Sequence, residues 1–133
     1  MSVIKTYGED GKQNGTLIPL WHVDKGPKID QVYLTTVLPG CMKGPHLHLK
    51  RRGLFFCVRG EIIVVRRWYQ HGSNEYEATT LTPGSPPAEV REGIPAAIYN
   101  FSTEEALVLN MPSPPWREND IDEHEVKDWD WRP

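Results

Sequence analysis

Two histidines one residue apart, His46 and His48, stand inside the most cationic stretch of the chain. Imidazole is the side chain whose ordinary pKa lies near neutrality, so it can take a proton in one step and return it in the next. At spacing i, i+2 on a strand both rings project from the same face, so both enter one cavity or both meet solvent. Between Lys43 and Arg67 lie seven basic residues, Lys43, Lys50, Arg51, Arg52, Arg59, Arg66 and Arg67, against one acid, Glu61. Proton-transfer groups beside such a surplus of positive charge suit a phosphorylated small molecule, whereas a bare charge run is a solvated face. The same pair could open a metal site, but zinc or iron sites need three or more donors, and His22, His71 or His124 would have to fold into reach.

The elements that position these residues read as strands. Apolar runs at TLIPLWHV (16–23), QVYLTTVL (31–38), GLFFCVRG (53–60), EIIVVRRWY (61–69), YEATTL (76–81), AAIYNFS (96–102) and ALVLNM (106–111) are rich in β-branched and aromatic residues. Turn chemistry bounds them, including PG, RG, HGSN and TPGSPP. Alternation separates Phe55, Cys57 and Arg59 from Leu54, Phe56 and Val58, with a hairpin turn expected at Arg59-Gly60-Glu61. The chain is thus predicted to be all-β, an antiparallel sandwich or small barrel. Only residues 116–128 are expected to form a helix, short and terminal.

Composition narrows the class further. At 133 residues, 25% charged and 38% hydrophobic, the chain suits one domain around one core, with 15–112 as its body. Twelve prolines disfavour helical bundles, and no Gly-rich phosphate loop precedes a helix, so parallel nucleotide folds are excluded. No apolar run approaches a bilayer span and the sequence MSVIKTYGED lacks a signal peptide's core; a soluble, cytoplasmic protein is expected. Cys41 and Cys57 are too few for a disulfide scaffold and read as free thiols. The net charge of -3, concentrated in the tail from Trp116 to Pro133, argues against extended nucleic-acid binding.

Gly40, His46, His48 and Gly60 have the spacing of the first cupin motif, and on these residues the chain resembles the cupin superfamily of jelly-roll proteins. The motif's glutamate falls on Arg52 or Gly53, and the histidine of the second motif, expected near Asn100, is missing. The resemblance is therefore to cupins working without metal: the nucleotide-sugar 3,4-ketoisomerases and 3,5-epimerases of dTDP-4-keto-6-deoxyhexoses. Lys43 to Lys50 is similar to the ketoisomerase segment RGYHSHKK, Val32 to Val37 to its VYYIT strand, and Ile98 to Ser102 to its MYDFS.

This resemblance implies an isomerase without cofactor or metal that moves a proton alpha to a ketone. His46 would be the base and His48 its partner or relay, with Tyr33 or Tyr99 as the second acid. Lys43 occupies the place of the families' arginine, and Arg52, Arg59 and Asn100 are further substrate contacts; Trp21, Trp68 or Tyr69 would stack the base. Two departures bear on the site: the epimerases' lysine is replaced by Gly53, and the ketoisomerases' Trp-Arg-Glu by Pro95, Ala96 and Ala97. Two alternatives stay open, a module that binds sugar nucleotides without turning them over and a metal-dependent cupin enzyme. The acidic tail, with Trp116, Trp129 and Trp131, is expected to pack on the domain or on a partner. The partners implied are a nucleotide sugar and a second copy in a homodimer, with neither nucleic acid nor membrane.

Overall fold

Prolines and glycines cut the chain into short extended runs that pair across long sequence distances. The computed structural model describes residues 3–21, 29–115, 118 and 121–133. Its strands are β1 (Ile4–Tyr7), β2 (Gln13–Leu17), β3 (Tyr33–Val37), β4 (Met42–His48), β5 (Gly53–Arg59), β6 (Ile62–Gln70), β7 (Ser73–Leu81), β8 (Ala88–Val90), β9 (Ala96–Tyr99), β10 (Ala106–Asn110) and β11 (Glu123–His124). A four-stranded sheet, β3-β10-β5-β8, faces a five-stranded sheet, β11-β4-β9-β6-β7, and β1 and β2 pair only with each other. Every pairing is antiparallel. This is the jelly-roll architecture predicted, and among the described residues no helix is long and apolar enough to cross a membrane.

Alternation fills the space between the sheets and also grades it. Inward residues of β3, β10 and β5 form rows: Val37 beside Ala106, Thr35 beside Val108 and Cys57, then Tyr33 beside Asn110 and Phe55. At one end Val37, Ala106, Val108 and Cys57 meet Ile62, Val64, Leu81 and Ile98 in a buried apolar cluster. Each of its valine, leucine and isoleucine side chains contributes on the order of 1.5–3 kcal/mol through burial. At the other end, the Tyr33 and Asn110 row, the interior turns polar and opens.

Three local expectations are corrected. The turn at Arg59-Gly60-Glu61 does not close a hairpin, because β5 and β6 belong to different sheets; it is the corner where the chain crosses between them. Gly60 has φ 83°, and a Cβ there would lie 3.2 Å from the Ala106 α-carbon, so both conformation and space require glycine. The helix expected over 116–128 is absent among the described residues, where β11 instead pairs with the edge strand β4. The strand expected over 16–23 ends at Leu17, and the stretch 22–23 lies outside the described residues.

Asn100, expected to contact substrate, is a turn clamp. Its Nδ2 donates to the carbonyls of Val37 (2.9 Å) and Glu104 (2.7 Å), and its Oδ1 accepts from the Ser102 amide (2.9 Å) and hydroxyl (2.7 Å). The residue is completely buried with its amide committed on both sides, so nothing is left to offer a ligand. Asn100→Ala is expected to lower stability by about 2–4 kcal/mol, because it strands buried partners. Urea unfolding checks this, and an unchanged midpoint would contradict the assignment.

Candidate functional site

One extra residue in β4 builds the first wall of the site. Lys43 pairs with Ile98 and His46 with Ala96, so three steps on β4 match two on β9. Without that bulge Lys43 and His46 would face opposite sides; with it Lys43, His46 and His48 all line one cavity. Gly44 permits the bulge: its φ is 92°, and a Cβ would sit 3.0 Å from both the Ala96 carbonyl and the His46 amide.

The cavity has a volume of about 170 Å³. Tyr33, Thr35, Phe55 and Asn110 of the four-stranded sheet line it opposite the histidines, and Arg51 and Arg91 supply further positive charge. Small side chains at Gly53, Ala96 and Ala97, the positions where the resembling families carry larger polar groups, leave it open.

Each histidine has its own orienting partner. Nδ1 of His46 meets the Glu123 carboxylate, which can only accept, so Nδ1 carries a proton and in the neutral ring Nε2 is the nitrogen with a lone pair for a ligand. Nε2 of His48 lies 3.2 Å from the Arg51 guanidinium, and arginine only donates, so His48 accepts there and carries its own proton on Nδ1. Burial first, then the Arg51 charge and His46, hold the His48 imidazole below the ordinary histidine value of 6.5, against the opposing pull of Asp122 and Glu123. His48 is therefore neutral at neutral pH. The ring centroids lie 6.2 Å apart, and the same-face expectation for the pair is met.

A C-terminal dipeptide holds this arrangement. Asp122 accepts hydrogen bonds from the amides of Leu49, Lys50 and Arg51, the turn directly after the histidine strand. Desolvation pushes its carboxyl up, but those amides outweigh it and keep it below the usual carboxylate range. Asp122 thus fixes the turn that presents Arg51 to His48, while its neighbour Glu123 holds His46. The tail is anchored on the outer face of the five-stranded sheet, where Trp129 Nε1 donates to the Tyr99 hydroxyl (2.7 Å) and Trp131 lies against the Tyr99 ring.

Of the residues predicted for the site, the structure brings together His46, His48, Tyr33 and Lys43, whose Nζ donates to Thr35. It does not bring in Tyr99, which follows the inward-facing Ile98 and so points through the other face into the tryptophan cluster. Arg52 is paired with Glu89 (2.6 Å) away from the cavity, and Arg59 lies 4.0 Å from Glu105, about 20 Å along β5 from the cavity end. Trp68 and Tyr69 do not line the cavity either, and His22 lies outside the described residues. Sequence reasoning missed Arg51, Arg91, Asn110 and the Asp122-Glu123 pair; position next to the histidine motif was the available signal for Arg51. Among the described residues no three His, Cys, Asp or Glu side chains converge as a metal site.

A family model described as "FdtA: WxcM-like, C-terminal" matches residues 4–128 of the chain. A dTDP sugar isomerase from Desulfovibrio desulfuricans is similar in structure, with TM-score 0.75, 19% identity and coverage of 94% of this chain and 80% of that one. The sugar 3,4-ketoisomerase QdtA from Thermoanaerobacterium thermosaccharolyticum, solved with TDP, is similar with TM-score 0.70, 19% identity and coverage of 96% and 88%. Capsular polysaccharide assembling protein CapF from Staphylococcus aureus is similar over 74% of this chain, with TM-score 0.63 and 19% identity; this chain spans 26% of that protein's length. No curated protein sequence matches.

Arg51→Gln is expected to raise the His48 pKa, because it removes a positive charge and opens the ring to water. Proton NMR titration of the His48 ring checks this, and an unchanged or lower value would refute the assigned contact. The sign for stability follows: with its native pKa below 6.5, His48 favours folding fully above that pH, and this contribution is lost as pH falls through the native value.

Proposed function

We propose that this chain, which belongs to the WxcM-like, C-terminal (FdtA) family, is a nucleotide-sugar isomerase that moves a proton alpha to the ketone of a dTDP-4-keto-6-deoxyhexose in deoxysugar or surface-polysaccharide synthesis. The observation that carries this reading is the pair of separately oriented imidazoles on one wall with a phenol on the opposite wall. A hydrogen beside a ketone needs a base poised near neutrality and a donor for the enolate oxygen. His46, its Nδ1 held by Glu123, presents a lone pair at Nε2 and takes the C3 proton. The Tyr33 hydroxyl accepts from Asn110 Nδ2 (2.7 Å), so its own proton is available to the C4 oxygen as charge develops there. Return of a proton to C4, with loss of the O3 proton, gives the 3-ketone. His48, on the same wall as His46, suits that relay between adjacent carbons.

The second reading, epimerisation, returns the proton to the same carbon from the opposite side. Tyr33 favours it to this extent, that it comes from the facing sheet. Lys43, Arg51 and Arg91 line the cavity and on this reading supply the cations that a diphosphate needs. A cavity of about 170 Å³ is smaller than the ~300 Å³ or more that encloses a whole drug-sized ligand, so the sugar enters and the nucleotide lies across the mouth. A cytoplasmic setting accords with such a substrate.

The protein works as a homodimer on this reading. The β1-β2 hairpin exposes Ile4, Tyr7 and Leu17, and edge strand β3 with its flanks exposes Val32, Leu34 and Leu38. Apolar surface of this extent beside an unpaired strand edge suits a second copy. Sedimentation is expected to give a dimer that Leu34→Arg with Leu17→Asp converts to monomer; a wild-type monomer at micromolar concentration would count against it.

Proton NMR of dTDP-4-keto-6-deoxyglucose with the protein in deuterium oxide tests the activity. Loss of the C3 signal is expected, and new ring couplings would separate keto transfer from epimerisation. His46→Ala is expected to slow exchange at least about 100-fold, and Glu123→Gln by a smaller factor. Binding without exchange would make the chain a sugar-nucleotide-binding module instead.

A further inference from the structure

The floor of the cavity holds a polar atom that the fold does not satisfy. Asn110 is 3% exposed and lines the cavity; its Nδ2 is given to Tyr33, but its Oδ1 has no hydrogen-bond partner. Buried acceptors without partners are rare, because desolvation is uncompensated. Beside this oxygen lies Gly53, where a Cβ would come within 3.2 Å of Asn110 Oδ1 and 2.9 Å of the Phe55 ring. Gly53 is not among the positive-φ glycines, so its backbone does not demand glycine. What glycine avoids here is crowding: any side chain would press on the Phe55 ring and on the unpaired acceptor, both of which line the cavity.

We infer that Asn110 is a specificity residue whose Oδ1 accepts a hydrogen bond from a ring hydroxyl of the sugar held in the cavity that Asn110 lines. An acceptor at this depth attracts a hydroxyl and repels the other polar parts of the proposed substrate, since ketone and diphosphate oxygens are acceptors too. It therefore also turns the ketone away from Asn110 and towards the Tyr33 hydroxyl. A site built to pair a hydroxyl rejects the analogue lacking it far more strongly than an apolar pocket rejects a missing methylene. The inference rests on the proposed sugar-nucleotide reading and names which feature of that substrate this chain selects.

Calorimetric binding of dTDP, dTDP-6-deoxyglucose and the 2-deoxy and 3-deoxy counterparts of that sugar tests this; all lack the ketone and bind without turnover. Wild-type protein is expected to bind one of the two deoxygenated sugars about tenfold or more weakly than the parent. Asn110→Leu should lower affinity for the parent by a similar factor, abolish the discrimination and leave dTDP binding unchanged. Gly53→Ala keeps Asn110 but sets a Cβ 3.2 Å from its Oδ1 and against the Phe55 ring, crowding the acceptor, and should also reduce the discrimination, so the test survives if Asn110→Leu fails to fold. Equal binding of all three sugars by wild type, or discrimination that persists in Asn110→Leu, would overturn the inference while leaving the sugar-nucleotide reading in place. Weakened dTDP binding in Asn110→Leu would put the hydroxyl on the nucleotide and overturn it too. If neither dTDP nor any of the sugars binds, the sugar-nucleotide reading falls and takes this inference with it.

Discussion

A β-strand has two faces, and three of the cavity's charged or titratable groups come from a single strand at spacings of three and two. Period-two alternation alone would put Lys43 on the side away from His46 and His48. The bulge between Lys43 and His46 resolves this, and it exists only because Gly44 adopts a positive φ beneath the Ala96 carbonyl. With all three groups turned inward, the rest of the site follows from the sandwich, whose opposite sheet supplies Tyr33, Asn110 and Phe55 in one row. The apolar end of the same interior allows this: Ile62, Val64 and Val108 are completely buried a few residues away and hold the sheets together while the polar end stays open.

The second organising contact is made at a distance. Asp122 and Glu123 reach the site because the segment after them is fastened to the outside of the five-stranded sheet. Trp129 meets Tyr76 edge-on and lies beneath Arg67, while Trp131 packs on Tyr99. Fixing an extended segment costs roughly 1–2 kcal/mol per residue in backbone entropy, which the contacts of two carboxylates alone do not offset. The aromatic cluster supplies the burial. The tryptophans of an acidic tail are thus explained by anchoring, and the acids by what that anchoring delivers to His46 and to the turn before Arg51.

Much of this was legible in the residues. The strand runs β3, β5, β6, β7, β9 and β10 carry β-branched and aromatic side chains that announce extended structure, and spacing alone placed His46 and His48 together. Less legible were β2, whose QNGTL is polar and exposed, β8, with three residues, and β11, a two-residue addition to an edge. Tyr99 was misassigned because alternation gives relative faces only; which face is inward depends on register, and Ile98 rather than Tyr99 faces the core. Asn100 shows the same limit, since a buried amide that clamps a turn and one that binds a ligand read alike until its partners are known. Glu123 and Asn110 could not be found from spacing, because each acts on a residue far away in sequence.

The cationic run illustrates why net charge is a weak guide to an anion site. Arg66 is bound to Glu77 and to the Glu89 carbonyl, Arg67 to the Lys127 carbonyl, and Arg52 to Glu89. Those contacts fix strands to one another and to the tail, so their charges are spent within the fold. Of the seven bases only Lys43 and Arg51 line the cavity, and Arg91 joins them from outside the run. On the proposed reading this divides labour between side chains: the cations supply affinity through the diphosphate, and the imidazoles and phenol act where the proton moves. Binding energy gathered away from the reacting carbon can then hold the sugar against the bases without stabilising its ground state there, which is the condition for that energy to accelerate the chemical step.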